Sequence, residues 1–304
     1  MDRVSVVIPA YNREKTIKYC INSILNQTIK PFEIIIVDDC SKDRTVEIVR
    51  KLNNSSIKII ELEKNSGAQA ARNRGIIEAK GEWIAFQDSD DEWLPNKLEI
   101  QLKKAKDDNV SFVYCECYVK KGNDTFLFNT PQYEGMSYKK LLAFPGPTFP
   151  GLLVKKECFE KTGLLDENVP SYQEWDTSIK LSKEYSMGFL KEPLYIYHLH
   201  EGETISKNLT RDVQGWEYIV NKWEDEILLN LGRIYLANHY HIIIEKYLMI
   251  KEYGLAKKYE EKLILLKYGN LNFYSIKLYF EKFEYALIKF LIKIKNKLLK
   301  GVIK

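Results

Sequence analysis

Glu82-Trp-Ile-Ala-Phe-Gln-Asp88-Ser89-Asp90-Asp91-Glu-Trp-Leu-Pro95 is a short apolar run that releases three carboxylates and then opens a proline-started helix. A buried strand with acids at its C-terminal tip suits an open α/β sheet, where ligands sit in the crevice outside the carboxyl ends of the strands. The same residues would also serve as a turn with a helix cap, because Ser and Asp accept from the free N–H groups of a helix start. Asp88 and Asp90, spaced i, i+2 on an extended tip, can both approach one hard cation such as Mg²⁺ or Mn²⁺ that also carries phosphates. The rest of the chain decides between the two readings.

The flanking sequence repeats one plan. Apolar strand-like runs at 5–9, 33–38, 57–62 and 83–86 alternate with helix-period segments at 14–26, 43–52, 66–79 and 95–106. That alternation predicts an α/β fold with a mostly parallel, Rossmann-like sheet flanked by helices. The strands are continuously apolar, as in Val6-Val-Ile8 and Ile34-Ile-Ile-Val37, which is expected where both faces are covered. Residues 107–208 read as mixed strands and short helices, with strands at 110–119, 125–128 and 194–198, a Pro/Gly stretch at 144–151 and a helix at 174–185. The expected organisation is therefore a nucleotide-binding half at 1–106, an acceptor-binding half at 107–208, and a helical C-terminal region at 209–304.

Composition narrows the class. The chain has 304 residues, 45% hydrophobic and 29% charged, enough to bury a full core and exclude disorder. A net charge of +4 is too mild to point to nucleic acid, though lysines crowd the C-terminal end. Five cysteines without a C-x-x-C pair argue against a disulfide framework and a structural zinc site, and favour a reducing compartment. Neither a secretory leader nor an uncharged apolar stretch long enough to span a bilayer is visible, so a cytoplasmic location is expected.

The first strand ends in Pro9-Ala10-Tyr11-Asn12, and the second in Asp38-Asp39-Cys-Ser41-Lys-Asp43-Arg-Thr45. Both tips belong to the sheet edge that carries Asp88 and Asp90, so turns and acids converge on one crevice. Ser41 to Thr45 reads as a helix cap. Asp39 is left needing a partner of its own, and a nucleobase N–H or ribose hydroxyl would serve. Neither G-x-G-x-x-G nor G-x-x-x-x-G-K-[ST] occurs, so no glycine loop cradles phosphates, and a cation at Asp90 would neutralise them instead. The small-residue helix beginning near Gly67 carries Arg72, which could pair with Asp88, reach a nucleotide, or lie solvated.

Val4-Ser-Val-Val-Ile-Pro-Ala-Tyr-Asn12, Val37-Asp-Asp-Cys-Ser-Lys-Asp-Arg-Thr45, Ala71-Arg-Asn-Arg-Gly75 and Asp88-Ser-Asp90 resemble, in order, the motifs of inverting family-2 glycosyltransferases with the GT-A fold. The likeness covers about residues 1–205. It implies a nucleotide-diphosphate-sugar donor, most often a UDP-sugar. Pro9, Tyr11, Asp39 and Arg72 would surround the nucleoside, with Ala10, Asn12 and Ser89 completing the donor-binding set. Asp88 would face the ribose and Asp90 the Mn²⁺ or Mg²⁺ ion, Asp88 assisting. Cys40 departs from the pattern, since Gly or Asn is more usual there.

Inverting transfer needs a carboxylate opposite the leaving diphosphate to take the acceptor proton. Ser171-Tyr-Gln-Glu174-Trp-Asp176 resembles the family's acidic-aromatic-acidic motif, which maps the base to Glu174 with Asp176 as second candidate. Both acids would also simply complement the positive end of a helix. His198 and His200 resemble the late histidine segment, and His200 is the better candidate for a metal ligand; local hydrogen bonding is the competing reading. Taking about 100° per residue, Lys282, Lys289, Lys293, Lys297, Lys300 and Lys304 form a stripe suited to an anionic membrane, a second protomer or a partner enzyme. The expected activity is metal-dependent inverting transfer of a sugar to a hydroxyl of a surface glycan, lipid-linked or of capsule, lipopolysaccharide or teichoic-acid type. A sugar nucleotidyltransferase would need a glycine-rich first turn, and a non-catalytic binding module would release no UDP.

Overall fold

The computed structural model describes residues 2–199 and 208–266. Strands β1 (Val4–Ala10), β2 (Glu33–Asp38), β3 (Ile57–Glu61) and β4 (Trp83–Phe86) run parallel in the spatial order β3-β2-β1-β4. Their connections are α1 (Ile17–Leu25), α2 (Thr45–Lys51) and α3 (Ala68–Glu78). Every residue of β1 is buried, which is why its sequence is apolar without alternation. α1 seals one face with Ile17, Cys20, Ile21 and Ile24. α3 lies close against the sheet because Gly75 presents no side chain; a Cβ there would sit 2.4 Å from a methyl of Val7.

After β4 the chain turns through the acidic tip into β5 (Glu92–Trp93) and α4 (Lys97–Asp107). The second half adds β6 (Phe112–Lys121), β7 (Asp124–Phe128), α5 (Tyr138–Ala143), a 3₁₀ turn at Phe149–Gly151, β8 (Leu153–Lys155), α6 (Lys156–Thr162), α7 (Gln173–Glu184) and β9 (Met187–His198). β8 runs antiparallel between β4 and β6 and so welds the two halves into one mixed nine-stranded sheet. β9 pairs parallel with β6 across a register irregularity at Glu116, opposite Pro193, and β5 pairs antiparallel with β9. The sequence reading missed β5, β8 and the first part of β9. β5 and β8 are too short to show a period, and Gly188 and Pro193 interrupt the pattern in β9.

The first compact unit runs from Met1 to Asn230, past the boundary expected at 208. The reason is α8 (Leu209–Lys222), which buries Val213, Trp216, Ile219 and Val220, followed by α9 (Glu224–Leu231). The second unit, Leu231–Lys304, contains α10 (Arg233–Met249) and α11 (Tyr253–Leu265), joined through the rings of Tyr240 and Tyr259, 5.4 Å apart. Among the described residues no helix is long and apolar enough to cross a membrane. The lysine stripe expected at 282–304 lies outside the described residues.

Candidate active site

The tips of β1, β2 and β4 form the floor. Pro9 and Ala10 are buried and offer only backbone, whereas the Tyr11 ring is 42% exposed. Asn12 takes a positive φ of 53° and staples the next loop: its N–H donates to Ser41 Oγ at 2.9 Å, and its Oδ1 accepts from Lys42 N at 2.8 Å. Cys40 has φ 65°, the left-handed region that accounts for Gly or Asn being usual there. Asp43 caps α2 by accepting from Thr45 N at 3.0 Å, while Asp38 accepts from Ser41 N at 2.9 Å. Asp39 was expected to need a partner from outside the protein. Instead its two oxygens accept from Ser66 N at 2.7 Å and Gly67 N at 2.8 Å, which orders the loop leading into α3.

The three acids after β4 have separate fates. Asp88 accepts from Arg72 Nη2 at 2.6 Å. Arg72 is only 5% exposed; Nη1 donates to Gln69 and Gln173, and the guanidinium lies 4.2 Å over the Phe149 ring. A cation so enclosed orients Asp88, which is the first of the alternatives the sequence left open for Arg72. Ser89 is buried. Asp90 forms an ion pair with Arg13 at 3.3 Å, and its backbone carbonyl accepts from Tyr19 Oη at 2.7 Å. Arg13 is itself anchored on the carbonyls of Tyr11 and Asn12 at 3.2 and 3.3 Å. Asp91 is fully buried and accepts from His198 N at 2.9 Å, fastening β9 to the tip. Burial pushes the Asp91 carboxyl well up, with Asp88 and Asp90 adding to it.

Two acids therefore remain for a cation, the half-buried Asp88 and Asp90. Among the described residues no group of three or more candidate ligands occurs. That set fits Mg²⁺ or Mn²⁺ held by one or two carboxylates plus the phosphates of a bound substrate, and does not fit a cage made wholly of protein. His198 shares a 2.8 Å hydrogen bond with Glu92 and packs 5.5 Å from the Tyr19 ring, the local role weighed above. His200 lies outside the described residues.

Glu174 stands in the first turn of α7, near Arg72 and Asp88. Burial pushes its carboxyl up to about 7; its own backbone N–H and the Arg72 guanidinium oppose the shift, and Asp88 adds to it. Asp176 has a different setting. It is 1% exposed, accepting from Trp223 Nε1 at 2.8 Å and Lys222 Nζ at 2.9 Å. Two positions along a helix turn a side chain by about 200°, so Asp176 faces α8, where its hydrogen bonds tie α7 to that helix. Sequence reading also passed over Arg13, Gln173 and Phe149. Arg13 follows directly on the Tyr11-Asn12 turn, a placement that could have flagged it, whereas nothing local marks Phe149 as the platform for Arg72.

Residues 5–161 match Glycosyl transferase family 2. The chain belongs to that family. An uncharacterized glycosyltransferase of Haemophilus influenzae is 31% identical over 251 residues, covering 79% of this chain and 85% of its own length. The Escherichia coli enzyme UDP-Glc:alpha-D-GlcNAc-diphosphoundecaprenol beta-1,3-glucosyltransferase WfgD is 40% identical over 140 residues, 46% of this chain and 54% of its own. S. aureus TarS 1-349, solved in complex with UDP-GlcNAc, superposes with a TM-score of 0.61 at 18% identity, covering 86% of this chain and 92% of that one. That likeness establishes the GT-A fold. This family-2 glycosyltransferase is thus a transferase, which removes the nucleotidyltransferase and binding-module readings.

Proposed function

We propose that this enzyme transfers one sugar, with inversion, from a UDP-sugar to a hydroxyl of a lipid-linked surface-glycan precursor, using Glu174 as base and Asp90 as principal ligand of Mn²⁺ or Mg²⁺. The observation that carries the reading is a carboxyl pushed by burial up to about 7 in the first turn of α7, directly after Gln173, which accepts from the Arg72 that pairs with Asp88 at the strand tip. A base whose pKa lies near working pH combines a useful fraction of the ionised form with real proton affinity. The relative named for a UDP-glucose donor and a diphosphoundecaprenol-linked acceptor supports the choice of substrates, as does the fold shared with a UDP-GlcNAc-binding protein.

In the reaction the acceptor oxygen attacks the anomeric carbon from the face opposite the diphosphate. Glu174 takes the hydroxyl proton as the new C–O bond forms, and the bond to the diphosphate oxygen breaks with its electron pair leaving on the phosphate. A divalent ion at Asp90, when bound, supplies charge to the leaving diphosphate, where it counts most in the transition state. Arg72 holds Asp88 in place and Asp39 holds the loop into α3, so the donor pocket is set before substrate arrives. Tyr11 offers an exposed ring for a base to stack on. The test is UDP release from UDP-glucose, UDP-GlcNAc and UDP-galactose with a GlcNAc-diphospholipid acceptor and Mn²⁺. Asp90→Ala and Glu174→Gln are expected to lose transfer, Glu174→Gln still binding UDP; full activity in either overturns the assignment.

A further inference from the structure

Residues 171–174 turn from α8 to the strand tips within four positions. Ser171 Oγ donates to the carbonyl of Arg211 at 2.9 Å on α8. Tyr172 Oη donates to Asp212, also on α8, and the Tyr172 ring packs edge-on against Trp175 and Trp216 at 6.1 and 5.4 Å. Gln173 accepts from Arg72 at 3.2 Å, which holds the first turn of α7, and with it Glu174, to the Arg72–Asp88 pair.

Tyr172 does this in the left-handed region, φ 57° and ψ 34°, as the cap residue of α7. A bulky residue with positive φ persists only where its surroundings over-determine it, and such strain gathers at functional sites. The surroundings here are α8. Gly215 sits in the middle of that helix, where glycine is a poor choice for helix stability. Its reason is contact: a Cβ at Gly215 would lie 2.0 Å from Ser171 Oγ and 2.6 Å from the Ser171 carbonyl oxygen. Trp216, the next residue, packs at a tilt against Trp175 with ring centroids 4.8 Å apart and completes the clamp.

We propose that α8 positions the catalytic base: by gripping Ser171 and Tyr172 it enforces the left-handed turn at Tyr172 that delivers Glu174 to the Arg72–Asp88 pair. Tyr172, Asp212 and Gly215 are then positioning residues of the transfer reaction, and the segment after 208 belongs to the catalytic unit. The inference rests on Glu174 being the base. A misplacement of the base of the order of 1 Å costs far more in turnover than in donor binding.

The test is steady-state transfer by Tyr172→Phe and Gly215→Ala, with Glu174→Gln alongside, using the donor and acceptor that turn over in the panel above. Tyr172→Phe keeps the ring and removes the hydroxyl that donates to Asp212; kcat is expected to fall about ten-fold while donor KM and UDP affinity stay within about two-fold. Gly215→Ala, which must push α8 away from Ser171, is expected to lower kcat by about a hundred-fold with the same UDP affinity. Where Gly215→Ala does not fold, Tyr172→Phe decides alone. Wild-type kcat in Tyr172→Phe together with an inactive Glu174→Gln overturns the clamp and leaves the base assignment standing. A fully active Glu174→Gln overturns both.

Discussion

Arg13 Nη2 lies 3.3 Å from Asp90 Oδ2, so the acid assigned to the cation already carries a positive partner drawn from the tip of the neighbouring strand. A divalent ion must compete with that guanidinium. The pair is partly exposed, its side chains 34% and 19% accessible, which puts its strength in the range of about 0–1 kcal/mol. Arg13→Ala is therefore expected to tighten Mn²⁺ binding in the absence of nucleotide by up to about five-fold. Titration of free Mn²⁺ by electron paramagnetic resonance reads this directly. Weaker Mn²⁺ binding would place the ion away from Asp90.

Glu174 links activity to stability. Its carboxyl ionises at about 7 in the folded protein and at 4.5 ordinarily, so the folded state holds its proton longer. Stability is then full below pH 4.5 and declines as pH rises toward 7, at a cumulative cost of about 3 kcal/mol at most. Glu174→Gln removes the ionisation: its melting temperature is expected to exceed wild type at pH 8 and to match it at pH 4.5. Transfer by wild type runs the other way, with kcat/KM falling below about pH 7 as the base is protonated. Thermal melts across that interval and a pH–rate profile check the two halves separately.

Much of this was legible in the sequence, and for physical reasons. β1 to β4 are buried on both faces, so their apolar runs are unbroken, and their alternation with helices sets the parallel order and brings the tips of Tyr11, Asp39 and Asp88 to one edge. What was not legible depended on distant partners. Asp39 finds its hydrogen bonds on Ser66 and Gly67, 27 and 28 positions away. Arg72 is turned toward Asp88 by Phe149 from the other half of the chain. Helical period alone says that Glu174 and Asp176 cannot face the same way; that Asp176 is the one turned to Lys222 and Trp223 depends on α8, a helix the sequence reading placed in a separate C-terminal region.

Gly75 and Val7 test the packing under the donor site. The missing Cβ leaves α3 near enough to β1 for contact with the Val7 methyls. Gly75→Ala is expected to destabilise by about 1–3 kcal/mol, because the β-branched Val7 side chain or α3 itself must shift to admit the new methyl. Val7→Ala makes room, so the double variant should recover part of that loss. Urea midpoints of the two single variants and the pair measure the coupling; strict additivity would contradict the contact.

Asp176 carries the last prediction. Its buried carboxylate is met by Lys222 and Trp223, and Lys222 also reaches Asp166 at 2.6 Å. Removing one partner of such a group leaves buried polar atoms without their bonds, so Asp176→Ala should cost about 3 kcal/mol of unfolding free energy. Asp176→Asn should cost less, because an amide oxygen can still accept from Trp223 while Lys222 keeps Asp166. The order Ala worse than Asn, read from urea unfolding at pH 7, is what an anchor between α7 and α8 requires. Equal losses would mean that the charge, and not the pair of hydrogen bonds, is what the fold depends on at this position.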